Sequence, residues 1–175
     1  EIHLWAPDTL LNKLENYKWL TKHSSKELQK SLIKQIWWQA TKLSYEAKSI
    51  GCDIMFTTDA STLCRFKPMI VLSQDMLSYE PGAMRHYGYT KQRLRLLAIL
   101  FIQNNAFRFS DGVIFLTQYA SKVIQKTTGI LTRVKCIPHG VGLNFRSLQL
   151  NHMWPNDSIE PIRCVYISNT EMYKH

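Results

Sequence analysis

Acidic residues are scarce: 13 Asp and Glu stand against 22 Lys and Arg in a chain of 175 residues, a formal charge of +9. That imbalance favours anionic partners, whether nucleic acid, nucleotides, sugar phosphates or acidic lipid, without choosing among them. Long apolar runs are missing too. The longest, Leu96 to Ile102, falls far short of the roughly 20 residues that span a bilayer, so no transmembrane helix is expected. Cysteines at metal or redox spacing are absent: Cys52, Cys64, Cys136 and Cys164 are scattered, and the last two sit inside apolar runs. They read as reduced thiols acting as small buried hydrophobes, which implies a cytoplasmic setting. No signal-peptide pattern follows Glu1, and a start without Met reads as a start inside a longer reading frame.

Several familiar chemistries lack their signatures. There is no G-x-x-x-x-G-K-[ST] loop and no G-x-G-x-x-G fingerprint, hence no phosphate cradle of either kind. Without a G-x-S-x-G elbow an α/β-hydrolase is disfavoured. His3, His23, His86, His139, His152 and His175 lack the close spacing with Cys, Asp or Glu that zinc uses, so no metal and no cofactor are expected. Internal repeats and low-complexity tracts are absent.

What is present is a globular composition, 45% apolar and 11% aromatic, enough for one sizeable core. Glu1 to Ala6 alternates and stops at Pro7, as a strand does. The pattern Ser24-x-x-Glu27 predicts a capped helix whose apolar positions Leu28, Leu32, Ile36, Ala40, Leu43 and Ala47 run on to Gly51. Short, wholly apolar runs follow at 54–56, 69–72, 112–116, 134–137 and 162–167, the composition of strands buried on both faces of a parallel sheet. Helices are predicted between them from Lys91 to about Phe109, and from Gln118 to about Thr127 with Thr117 as N-cap and Gly129 as stop. The first of these begins with Arg93 and Arg95, which would suit a membrane surface. It is apolar nearly all round after Arg95, however, and the reading favoured is a core helix. Trp37 and Trp38 read as helix packing before a stacking platform. The order of elements predicts an α/β sheet with right-handed crossovers. From Leu143 to Pro161 the chain is polar and aperiodic, as a linker is.

Ligands of an open α/β sheet bind beyond the carboxyl ends of its strands. Polar residues leave the predicted strands there at Thr57 to Thr62, at Ser73-Gln74-Asp75, at Thr117-Gln118, at Pro138 to Gly142 and at Ser168 to Thr170. Asp59 and Asp75 are candidates for a cleft carboxylate pair, as acid and base or as acceptors for sugar hydroxyls. The competing reading is that each bonds its own backbone in a turn, the stronger of the two readings for Asp59. His139, next to Gly140, divides evenly between a turn and a ligand contact.

Asp111-Gly-Val-Ile-Phe-Leu-Thr117, a helix, and Arg133 to Val141 together resemble the closing βαβ unit of the N-terminal domain in retaining glycosyltransferases of the GT-B fold, family 4. Lys67-Pro-Met-Ile-Val-Leu-Ser-Gln-Asp75 and Arg163 to Lys174 are similar to two further elements of that family, so the resemblance covers residues 51–175. It implies a Rossmann-like parallel sheet with helices on both faces, an acceptor-side domain truncated at its start (1–147), a linker (148–161) and the first strand and loop of a donor-binding domain (162–175). By the same resemblance, Asp75 and Gln74 fall at catalytic positions, with Gln74 where the family has histidine. Asp59, Ser61, Thr117, His139 and Gly140 line the acceptor side. Lys174 contacts the donor diphosphate, and Asn169 stands where the family has arginine. The implied partners are a nucleotide-sugar donor and a glycan or lipid-linked acceptor, with no resident metal; separately, the positive charge would suit a peripheral contact at the inner face of the cytoplasmic membrane. The paired-glutamate motif of the donor domain does not occur before His175, so the 175 residues alone are expected to have no transferase activity. The rival class is a non-enzymatic basic α/β module that binds nucleic acid; the spread of Lys and Arg, without a stripe, disfavours it.

Overall fold

The computed structural model describes residues 1–140 and 142. The chain divides into two compact units, Glu1–Ile137 and Pro138–His175, and the elements below belong to the first. The expected strand 162–167, the linker, the domain boundaries at 147 and 161, and Cys164 lie outside the described residues.

The first strand, β1 (Ile2–Trp5), ends before Pro7 as predicted. It pairs in parallel with β2 (Leu20–His23), from Ile2 opposite Leu20 to Trp5 opposite His23, after the short helix α1 (Asp8–Leu11). Leu20-Thr-Lys-His has neither an apolar run nor alternation, so β2 and α1 were not legible in advance. Pairing and stacking hold β2 instead: the Trp5 and His23 rings stack with centroids 4.7 Å apart, and His3 Nδ1 and His23 Nε2 lie 2.9 Å apart in a hydrogen bond.

The long predicted helix is broken up. Ser25, not Ser24, provides the cap, its Oγ accepting from Glu27 N and donating to Glu27 Oε2. The cap opens only a 3₁₀ turn, Lys26–Gln29. The α-helix begins later, as α2 (Leu32–Trp38), passes through a π turn at Gln39–Leu43 and continues as α3 (Ser44–Ser49). Gly51 ends it at φ +80°, as expected of a glycine stop. Of the tryptophan pair, Trp38 is buried and donates from Nε1 to Glu46 Oε1 at 3.2 Å, whereas Trp37 is exposed and lies under Lys42 Nζ.

The main sheet is parallel, in the order β3 (Met55–Thr57), β4 (Met69–Ser73), β5 (Gly112–Phe115), β6 (Val134–Cys136). It is an α/β sheet of the Rossmann-like kind, and its strands fall on four of the predicted apolar runs. Asp111 ties its lower edge together, accepting from Met69 N at 3.0 Å with Lys67 Nζ 3.4 Å away. Those contacts hold the carboxyl below its ordinary value, the Met69 amide most of all.

Burial corrects one expectation. The strands alternate: Met55, Met69, Val71, Ser73, Val113 and Phe115 are buried, while Ile70, Leu72 and Ile114 are only partly covered and Phe56 is 53% exposed. The core that joins the sheet to Trp38, Ala47, Phe107 and Ile124 takes in Met55, Met69, Val71, Val113 and Phe115, with Val134 and Cys136 packed against it, and leaves out Phe56, Ile70, Leu72 and Ile114. Among the described residues, then, the strands are not buried on both faces, and the helices complete the core on one of them. A shallow concavity of about 320 Å³ lies over the other, lined by Ile70, Gly112, Ile114, Lys135 and Ile137 among others.

The helices α4 (Lys91–Phe109) and α5 (Gln118–Thr128) fall where predicted. Yet α4 is not the wholly buried helix expected: Leu96, Gln103, Ala106 and Phe107 are buried, but Leu94, Leu97 and Phe101 are 69%, 45% and 68% exposed. The reason is the helix face: Leu94, Leu97 and Phe101 lie opposite Leu96, Gln103 and Phe107, on the side turned away from the core. No helix among the described residues is long and apolar enough to cross a membrane. Cys52, Cys64 and Cys136 are free thiols, and burial pushes Cys52 and Cys64 up from the ordinary thiol value.

Candidate functional site

Because β3, β4 and β5 are parallel neighbours, their carboxyl ends lie along one edge. Asp59, Asp75 and Thr117 each follow the last residue of their strand by two positions, and all three are exposed on that edge. Ser61 and Gln74 belong to the same loops. His139 and Gly140 are exposed and belong to the second unit, from Pro138 onward. Asn169 and Lys174 lie outside the described residues.

Both carboxylates turn out to be turn formers. Asp59 Oδ1 accepts from Ser61 N at 2.7 Å, and Asp75 Oδ1 accepts from Leu77 N at 2.9 Å. The competing structural reading therefore holds for Asp75 as it does for Asp59. A short polar side chain bonding the amide two residues on is the local chemistry by which Asp stabilises a loop. Thr57 supports the first loop by donating from Oγ1 to the Asp59 carbonyl at 2.7 Å. Thr117 has the role predicted for it, its Oγ1 accepting from Ala120 N at 3.0 Å. That cap sets the amino end of α5, with its positive partial charge, at the same edge as the two carboxylates.

Behind the rim lies a residue that the sequence did not single out. Gln103, in the apolar inner face of α4, is 3% exposed; its Nε2 donates to Ser61 Oγ at 3.2 Å, and its buried Oε1 meets no donor among the described residues. The available signal was an amide interrupting the apolar run of a helix. Next to it, Asn104 Oδ1 accepts from Tyr79 Oη at 2.9 Å, and burial drives the Tyr79 phenol well above its ordinary value. Further out, Tyr119 Oη at the start of α5 donates to Glu80 Oε1 at 2.9 Å, a bond that raises its pKa and joins the α5 end to the loop after β4.

The arrangement offers carbonyl, carboxylate, amide and hydroxyl groups suited to hydroxyl-bearing ligands, and a helix amino end suited to a negative group. Among the described residues it sets no nucleophile next to a base. Both described concavities lie elsewhere: one on the open sheet face, and one of about 220 Å³ at the opposite edge, around Arg108, Asp111 and Thr128. Neither a family model, nor a curated protein, nor a solved structure matches the chain.

Proposed function

We propose that Glu1–Ile137 is the acceptor-side part of a glycosyltransferase. On this reading the enzyme moves a sugar from a nucleotide-sugar donor to a glycan or lipid-linked acceptor with retention of configuration. One observation carries the reading: Asp59, Asp75 and Thr117 leave three adjacent parallel strands at the same edge, two residues past the strand ends. Sugar hydroxyls both donate and accept, and the edge supplies carboxylate acceptors at Asp59 and Asp75, a two-way amide at Gln74 and hydroxyls at Ser61 and Thr117. The resemblance adds the donor: a diphosphate met by Lys174, with Asn169 in place of a second cation. Leaving-group charge is then borne by Lys174 and by helix amino ends, not by a metal.

The test is acceptor binding, followed residue by residue by NMR while oligosaccharides and a polyprenyl-diphosphate sugar are titrated in. Shifts are expected at Asp59, Ser61, Gln74, Asp75 and Thr117, and Asp59→Asn with Asp75→Asn should weaken binding at least fivefold. Shifts confined to the open sheet face overturn the proposal. So does the absence of sugar binding combined with salt-dependent binding of oligonucleotides, which supports the nucleic-acid module instead.

A further inference from the structure

We infer that the exposed stripe Leu94, Leu97, Ala98 and Phe101 of α4 is a docking surface for an anionic phospholipid bilayer. The spacing i, i+3, i+4, i+7 places the four on one helix face, opposite the buried Leu96, Gln103 and Phe107. At about 100° per residue, Lys91 and Arg95 border the stripe on one side and Arg93 on the other. The loop leading into the helix continues the pattern: Tyr89 is fully exposed, and the Arg93 guanidinium lies 5.3 Å from its ring centroid while donating to Gly88 O at 3.3 Å.

Charge selects the occupant. Between Glu80 and Asp111 the chain has no acidic residue, yet it has Arg85, Lys91, Arg93, Arg95 and Arg108. Arg108 is occupied by the Thr127 and Thr128 carbonyls; Lys91 and Arg95 are exposed beside the stripe, Arg93 is half-buried, and Arg85 is exposed in the turn before the helix. A second copy docked through this face would bring two cationic rims together. Nucleic acid would meet the cations but leave Leu94, Leu97 and Phe101 unburied against polar phosphate. An acidic bilayer answers both demands: the apolar side chains enter the acyl boundary while Lys and Arg, snorkelling along their stems, reach the headgroups. This surface is independent of the sugar-transfer reading.

The experiment is co-sedimentation of the whole chain with vesicles of phosphatidylcholine alone and of phosphatidylcholine with one-third phosphatidylglycerol. Binding is expected only to the anionic vesicles, falling as salt is raised. Leu97→Ser with Phe101→Ser should weaken it by about tenfold per side chain, and Arg93→Gln with Arg95→Gln by about fivefold per charge. Far-UV circular dichroism checks that each variant is folded, and if the apolar pair unfolds the arginine pair decides. The inference is overturned if the chain pellets with neither vesicle, if it binds both equally, or if folded variants bind like the parent. Sedimentation velocity that finds stripe-dependent self-association without vesicle binding overturns it in favour of a second copy.

Discussion

At the residue scale, His23 of the small sheet should make the chain's stability sensitive to mild acid. His3 Nδ1 meets His23 Nε2 at 2.9 Å, Trp5 stacks on His23, Glu1 approaches His3 at 3.8 Å and Glu46 is near His23. Burial first, then His3, lowers the His23 pKa from its ordinary 6.5, and Glu46 opposes them. The unfolded chain therefore binds the proton more readily than the folded one. Stability should be complete above pH 6.5, fall as pH drops through that value, and level off below the lowered folded value. Urea midpoints between pH 8 and 5 check this; His23→Gln should flatten that limb, and a limb unchanged in the variant counts against it. Asp111 acts in a separate, lower window. Its carboxyl is held below 3.8 by the Met69 amide and Lys67, so the stability it adds is present above that value and lost as pH falls through the folded one. Thr117 serves both fold and rim: Thr117→Ala removes the acceptor for Ala120 N and should cost about 1 kcal/mol by chemical denaturation.

At the scale of elements, the Thr117 cap and the stops at Gly51 and Gly129 were legible because their chemistry is local. Gly129 closes α5 at φ +80° and ψ 178°, a region that essentially only glycine occupies, so Gly129→Ala should cost about 2 kcal/mol in a urea titration. The same local logic misplaced the start of the first long helix: Ser25 caps only the short turn Lys26–Gln29, and the α-helix begins at Leu32. Phe107 joins α4 to the sheet, with ring centroids 5.8 Å from Phe115 and 6.4 Å from Tyr79, and is 1% exposed. Phe107→Ala should therefore cost about 4 kcal/mol, read as a shift in the urea midpoint with little change in slope. A loss under 1 kcal/mol would mean that α4 is not anchored where the aromatic contacts place it.

At the scale of the whole molecule, apolar surface is distributed unevenly. The helix-covered side of the main sheet carries the core, while Phe56 and Ile137 on the strands and strand ends remain 53% and 49% exposed. Phe56→Ser should accordingly change stability by no more than about 0.5 kcal/mol while lowering the fluorescence of a bound hydrophobic dye. Four apolar runs, two later helices, a net charge of +9 and the polar residues at Asp59, Asp75 and Thr117 were available from the amino acids alone. They depend on propensity, periodicity and composition, which act over a few residues. Three things waited for the tertiary structure: β2, which exists through its pairing with β1; the one-sided burial of strands whose residues are apolar on both sides; and the exposed stripe of α4. Each depends on which distant segment lies against a given side chain, and a helix that is apolar all round has no periodicity to say which of its faces the sheet will cover.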